Sequence, residues 1–209
     1  MTSVALLDYG MGNLRSVEKA FERVGAEVVR TGDVEVAARA DGLVLPGVGA
    51  FPKGIERVGA LGFDELIADR RAAGTPILGI CLGMQLLFES STELGGASGL
   101  GVLAGTVTEL DAPGLKVPHI GWEPIRLEAE SELTVGLEDE TPFYFVHSFA
   151  PHPAHAEDIA ATAVWGERFA CAVSRPPVYG VQFHPEKSSL AGLSLLKNFV
   201  AICASVPAA

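Results

Sequence analysis

Cysteine, basic charge and long apolar stretches are all scarce in this 209-residue chain, and each shortage closes off a class of function. Three cysteines, Cys81, Cys171 and Cys203, are an odd number without paired metal spacing. That argues against a disulfide framework or a zinc site and fits a reducing cytoplasm. Fifteen basic residues stand against 26 acidic ones, a net charge of -11. Phosphate backbones are held by clustered Lys and Arg, so a solvated acidic face is expected and a nucleic-acid surface is not. No apolar run reaches the roughly eighteen residues that a membrane span needs. The opening Met1-Thr2-Ser3-Val4-Ala5-Leu6-Leu7 lacks a basic flank and reads as a first strand, not a signal peptide. A Walker sequence is also missing. The stretch Gly10-Met11-Gly12-Asn13-Leu14-Arg15 begins like a dinucleotide loop, yet Arg15 stands where a third glycine would let helix and strand pack closely. Neither ATP nor a dinucleotide is indicated, and no cofactor or metal is expected.

What the chain does have is apolar content, 48% of its residues, enough to bury one core. A single domain over 1–209 is expected. Strands read near Val4 to Leu7, Glu27 to Arg30, Leu43 to Leu45 and Ile77 to Ile80, with helices around Leu14 to Val24 and Leu61 to Ala73. Such alternation predicts an α/β fold with a mostly parallel central sheet flanked by helices. From about Val102 to Val173 the strands become short and are punctuated by Pro and Gly, which predicts an antiparallel extension; a last helix runs from about Leu190 to Ala204. Reactive groups in parallel sheets collect at the carboxyl ends of the strands, so residues far apart in sequence can meet there.

Three segments carry chemistry. In the first, Pro76-Ile77-Leu78-Gly79-Ile80 reads as a buried strand and Gly83-Met84-Gln85-Leu86-Leu87-Phe88-Glu89 as the start of a helix, with Cys81 on the corner between them. A sharp strand-to-helix turn demands strained angles and close backbone approach, which explains Gly79 and Gly83. It exposes the side chain at a helix N-terminus, where a thiolate is favoured. Taken alone, a cysteine after an apolar strand is more often a buried, inert thiol. The second segment changes that balance. In Val178-Tyr179-Gly180-Val181-Gln182-Phe183-His184-Pro185-Glu186, extended chain projects His184 and Glu186 to the same side, and Pro185 keeps His184 away from helical angles. A carboxylate beside an imidazole fixes its tautomer and stabilises its protonated form, so Cys81, His184 and Glu186 can act as nucleophile, base and orienter. The third is Leu45-Pro46-Gly47-Val48-Gly49, whose glycines free backbone N–H groups to turn toward a carbonyl oxygen. With the N–H of Leu82, Gly47, Val48 and Gly49 are the candidate oxyanion hole.

Together these segments resemble the class I, triad-type glutamine amidotransferases. Four further stretches, Asp8 to Leu14, Pro118 to Trp122, Tyr144 to Phe149 and Gln182 to Ser188, resemble the glutaminase subunits of imidazole glycerol phosphate synthase, and the likeness spans nearly the whole chain. The resemblance implies a flavodoxin-like fold and hydrolysis of glutamine to glutamate and ammonia through a cysteine thioester. It also implies a heterodimer with a (β/α)8 cyclase subunit that uses the ammonia in histidine biosynthesis. It assigns Cys81, His184 and Glu186 to catalysis, Gly49 and the Leu82 N–H to the oxyanion, and Gln85, Glu93, His147 and Ser148 to the glutamine substrate. Asn13, Pro118, His119, Trp122 and Lys187 match positions that face the cyclase or transmit its state. Two positions depart from the usual pattern: Glu123 follows Trp122, and Ala150-Pro151 follows Phe149. The alternatives are a glutaminase of another pathway, such as pyridoxal phosphate synthesis, a stand-alone cysteine hydrolase or peptidase, and a non-catalytic assembly subunit. The intact triad argues against the last.

Overall fold

Strand and helix alternate through the first half of the chain, in a computed structural model that describes residues 1–206. The elements are β1 (Ser3–Leu7), α1 (Leu14–Arg23), β2 (Glu27–Thr31), α2 (Val34–Ala37), β3 (Gly42–Leu45), α3 (Phe51–Ala60), α4 (Phe63–Ala72), β4 (Ile77–Ile80) and α5 (Leu82–Leu86). Strands then dominate: β5 (Phe88–Ser91), β6 (Ala97–Ser98), β7 (Leu103–Glu109), β8 (His119–Pro124), β9 (Arg126–Leu127), β10 (Pro142–His147), β11 (Phe149–Pro153), β12 (Ile159–Trp165), β13 (Glu167–Arg175) and β14 (Val178–Val181). Helix α6 (Ser189–Ser205) follows.

Eight strands form the central sheet in the order β2-β1-β3-β4-β14-β13-β12-β9. The first five are parallel and the last three antiparallel, which is the expected parallel core with its extension. A four-stranded sheet, β11-β7-β5-β6, and the ribbon β10-β8 complete it. β1, β3, β4 and β14 are almost wholly buried and read as continuous apolar runs because helices or sheets cover both faces. One core contains Phe21, Phe145, Phe183 and Phe199; the other contains Phe51, Phe63, Phe88 and Leu45. The helices bury one stripe each: Val17, Ala20 and Phe21 on α1, and Gly192, Leu195, Leu196 and Phe199 on α6, at the spacing of a single helical face.

Register is what builds the rim. Leu45 lies opposite Gly79, and Ile80 opposite Val181. The chain therefore leaves β3, β4 and β14 side by side, carrying Gly47, Cys81 and His184 to one edge.

Two expectations change. The helix after Cys81 ends at Leu86, and Phe88–Ser91 is a strand. The Leu86 carbonyl accepts from the Leu100 N–H, and the Leu87 carbonyl accepts from those of Val102 and Leu103, so tertiary pairing beside β7 overrides helix propensity. Helix α3 was not expected, since Pro52, Gly54 and Gly59 interrupt its pattern. Pro52 sits in the first turn, where its missing N–H costs nothing, and Gly54 makes room for Leu86.

Gly192 ties this fold to the rim. A Cβ there would lie 1.9 Å from the carbonyl oxygen of Pro185, in the turn that carries Glu186. Gly192→Ala is expected to lower stability by about 2–3 kcal/mol in urea unfolding, through overpacking against backbone. Gly121→Ala, where a Cβ meets nothing within 4 Å, serves as the neutral comparison.

Candidate active site

Cys81 has a strained backbone, with φ +54° and ψ -111°, at the position just before α5. Few residues other than glycine adopt a positive φ, and such strain persists only where surrounding structure enforces it. Here the enforcement is close backbone contact. A Cβ on Gly83 would fall 1.7 Å from the Leu45 carbonyl oxygen, and one on Gly79 would fall 2.6 Å from the Met84 Cα. Both glycines are thus required by space, as the corner reading expects, and the Cys81 N–H is fixed to the Val181 carbonyl at 2.7 Å.

On the neighbouring strand end, His184 Nδ1 and Glu186 Oε1 are 2.9 Å apart. The route to that contact differs from the expected extended alternation. β14 ends at Val181, His184 is extended at φ -99° and ψ 95°, and Pro185–Lys187 form a 3-10 turn that swings Glu186 back onto the ring. Ser188 braces the turn: its hydroxyl donates to the His184 carbonyl at 2.7 Å and accepts from the Tyr144 N–H at 3.0 Å. Burial alone would lower the pKa of His184. Hydrogen bonding and negative charge from the Cys81 sulfur and the Glu186 carboxylate outweigh it and raise the value from 6.5 to about 10. An imidazolium held between a sulfur and a carboxylate is the pairing that thiol acyl transfer uses.

Cys81 and His184 open into a cavity of about 240 Å³ whose walls also include Val48, Gly49, Leu82, Gln85, Glu93, His147, Ser148 and Lys187. The four residues expected to hold substrate therefore share one hollow with Cys81 and His184. Glu93 is not merely solvated: its Oε2 accepts from the Phe51 N–H at 2.7 Å, capping α3. A larger hollow of about 720 Å³, between Leu127 and Val135, contains neither cysteine nor histidine. Among the described residues no cluster of His, Cys, Asp and Glu is arranged to hold a metal.

The candidate oxyanion hole is closed. The Leu82 N–H donates to the Gly47 carbonyl at 3.3 Å, so it is engaged rather than free. Because a trans peptide points its C=O and N–H in opposite directions, the Val48 N–H is turned away from Leu82. Gly47 is pinned from below, since a Cβ there would lie 2.3 Å from the Tyr9 hydroxyl, which donates to the Pro46 carbonyl at 2.5 Å.

The residues expected to face a partner divide. Asn13, Pro118 and Lys187 are exposed, and Trp122 is half-exposed beside Ile120. Lys187 both borders the cavity and lies over the Tyr144 ring, 5.7 Å from its centroid. His119 does not face outward: its side chain is fully buried, stacked between Phe145 and Trp165. Alternation along β8 explains its place, because Ile120 and Trp122 take the outer face and His119 the inner one.

His119 and His147 form a pair that sequence reasoning did not connect, with Nδ1 and Nε2 3.2 Å apart. Their protons can be placed. The Phe149 carbonyl only accepts, so His147 Nδ1 carries a proton toward it at 2.9 Å. His147 Nε2 then accepts from His119 Nδ1–H, which leaves His119 Nε2 bare, 4.0 Å from a Glu123 oxygen. Burial drives both pKa values down, to about 4.

Residues 5–203 match the family model described as "Glutamine amidotransferase class-I". The chain is similar to "Imidazole glycerol phosphate synthase subunit HisH" of Syntrophotalea carbinolica, at 47% identity over 94% of this chain and 98% of that one. The protein of the same name from Salinibacter ruber is 48% identical over 94% of this chain and 93% of its own. Among solved structures, one titled "Crystal structure of glutamine amidotransferase" superposes with a TM-score of 0.76 at 21% identity, covering 96% of this chain and 98% of that one. A putative GMP synthase subunit from Thermoplasma acidophilum gives 0.73 at 22% identity, covering 98% and 95%. At these identities the structures speak for the fold alone.

The buried histidine pair predicts an acid limb of stability. Above pH ~6.5 both rings are neutral in folded and unfolded chains; as pH falls toward about 4 only the unfolded chain gains protons. Each histidine should therefore lower stability by about 1.4 kcal/mol per pH unit across that window. His119→Phe, which keeps the stacking, should remove one histidine's share of the slope in urea unfolding between pH 6.5 and 4; an unchanged slope would contradict the assignment.

Proposed function

The chain belongs to the class-I glutamine amidotransferases and, within them, to the HisH subunits of imidazole glycerol phosphate synthase, and from that premise we propose how its residues divide the work. The chain hydrolyses glutamine to glutamate and ammonia. The observation that carries this assignment of residues is the convergence of Cys81 and His184, the latter held by Glu186, on the cavity that Gln85, Glu93, His147 and Ser148 also line. Its volume of about 240 Å³ suits a free amino acid and not a peptide chain, which disfavours a peptidase.

In this reading Cys81 attacks the carbon of the substrate's side-chain amide. The carbonyl oxygen takes the negative charge, and His184, protonated and oriented by Glu186, gives its proton to the departing nitrogen as ammonia leaves. His184, now neutral, takes a proton from water as the water attacks the thioester, and returns it to the sulfur as glutamate is released. Gln85, Glu93 and the main chain around His147 and Ser148 hold the substrate's amino acid head. The residues form one catalytic domain, working in the cytoplasm, where the three unpaired thiols stay reduced. Among the described residues no helix is long and apolar enough to cross a membrane.

The ammonia passes to a cyclase subunit, a (β/α)8 barrel paired with this chain as a heterodimer in histidine biosynthesis. Trp122, Ile120, Asn13, Pro118 and Lys187 supply exposed groups for that contact. Docking would also set the oxyanion hole. Rotation of the Gly47–Val48 peptide withdraws the Gly47 carbonyl, frees the Leu82 N–H and turns the Val48 N–H inward. This makes Val48, rather than Gly49, the second donor.

Two variants test the reading in a complex reconstituted with the cyclase. Cys81→Ser should abolish glutamine-dependent synthesis while leaving synthesis from added ammonia intact; loss of both would make Cys81 structural. Val48→Pro, which removes the donor N–H, should reduce glutamine-dependent turnover by about a hundred- to a thousand-fold with ammonia-dependent turnover preserved.

A further inference from the structure

Beyond the triad, one more side chain touches the sulfur. We propose that Gln182 is a further catalytic residue, whose side-chain amide donates a hydrogen bond to Cys81 Sγ and thereby favours and positions the thiolate. The inference rests on Cys81 being the nucleophile and adds to that reading a dedicated donor to the sulfur.

Gln182 follows the last residue of β14, and the register of Val181 against Ile80 sets it level with Cys81. Its side chain is fully buried, and its Nε2 lies 3.6 Å from the sulfur. Carboxamide oxygen and nitrogen look alike, so the direction of this contact has to be argued from partners. The argument starts at a group that cannot reverse. The Phe149 carbonyl only accepts, so the Gln85 atom 2.9 Å from it is the nitrogen. That same nitrogen lies 3.0 Å from the near atom of the Gln182 amide, which must then be the acceptor oxygen. The amide nitrogen of Gln182 is left facing Cys81.

A donor in that place discriminates between two forms of the sulfur. Hydrogen bonds to an anion are roughly twice as strong as those to a neutral acceptor, so the contact favours the thiolate over the thiol. A further polar neighbour of the sulfur besides His184, the Val146 carbonyl at 3.9 Å, suits a thiol proton instead. Gln182 thus opposes Val146. It does not line the cavity, so it has no part in binding glutamine. Gln85 satisfies the amide oxygen, but the buried amide nitrogen costs free energy unless the sulfur repays it.

The test reads the sulfur directly, without glutamine turnover. Cys81 of the full chain is alkylated with iodoacetamide from pH 5 to 10 and the modified residue is identified by mass spectrometry; Cys171 and Cys203 are buried, and burial pushes the Cys203 thiol up to about 12 and that of Cys171 higher still. The other ionisable groups around Cys81 stay in place: His184 with Glu186 from the β14 end, Tyr9 after β1, His147 on β10, and Glu93 and Lys187 at the cavity wall. Gln182→Met should move the alkylation midpoint upward by about one pH unit, the share of a lost charge-assisted donor. Glutamine turnover should show a lowered kcat with KM unchanged. Gln182→Glu keeps the bond from Gln85 but turns an oxygen toward the sulfur, and should shift the midpoint further. A folded variant of either kind with the parental midpoint overturns the proposal, whatever its stability. Should neither variant fold, the side-chain 15N–1H signals of Gln182 in the unaltered chain provide the readout. They should move as Cys81 deprotonates, and indifference to that step overturns the proposal. Failure of the underlying reading would look different: Cys81→Ser would retain glutamine-dependent synthesis.

Discussion

Backbone pressed against backbone at the Cys81 turn is the constraint on which the site depends. Gly79 and Gly83 allow β4 to bend into α5 while touching Met84 and the Leu45 carbonyl, and that contact holds Cys81 at φ +54°. The same closeness brings the ends of β3 and β14 within hydrogen-bonding reach, through Leu82 to Gly47 and Cys81 to Val181. Cys81, Gly47 and His184 are therefore placed by one local crowding and not by three independent loops. Positioning of this kind draws its free energy from the fold, before any substrate arrives.

Three buried histidine rings near this rim behave in opposite ways, and partners decide which. His119 and His147 have each other, a carbonyl and aromatic faces, with the nearest carboxylate, Glu123, no closer than 4.0 Å, so burial wins and both stay neutral. His184 is nearly as enclosed, yet a carboxylate and a sulfur flank it and its pKa rises instead. One protein interior thus keeps a charged ring beside the Cys81 sulfur and a neutral pair of which His147 lines the same cavity. The neutral pair orders His147 without adding a second positive charge beside that of His184.

Much of this was legible in the sequence, and the limits have physical causes. The parallel strands and α1 announce themselves because each buries a periodic set of apolar residues, and the corner at Cys81 because only glycine tolerates such contact. The link between His184 and Glu186 was legible, but its mechanism was not: spacing of two fits both an extended chain and the 3-10 turn found here. Helix α3 was hidden by residues whose use is tertiary, Gly54 against Leu86 above all. The burial of His119 was not legible because the motif around it mixes inward and outward residues on β8, and the motif alone does not say which way each points. Gln182 lay in plain view between two apolar residues; nothing local shows that its amide reaches a sulfur 101 positions away.

The closed oxyanion segment brings these threads together. Holding it shut is a single 3.3 Å hydrogen bond, of a kind worth about 1 kcal/mol net. Opening it rotates one peptide between Gly47 and Val48, and Val48 is 44% exposed, so no core packing is broken. Tyr9 anchors Pro46 below the moving peptide, while Gly49, at φ +117°, takes up the turn beyond it. The rotation is thus confined between a fixed residue and a permissive one. A gap of a few kcal/mol between two such states is within the differential binding energy of a protein partner. The rim thus combines a rigid turn at Cys81 with a loosely latched backbone segment at Gly47 and Val48, which can exist in two states without disturbing the core.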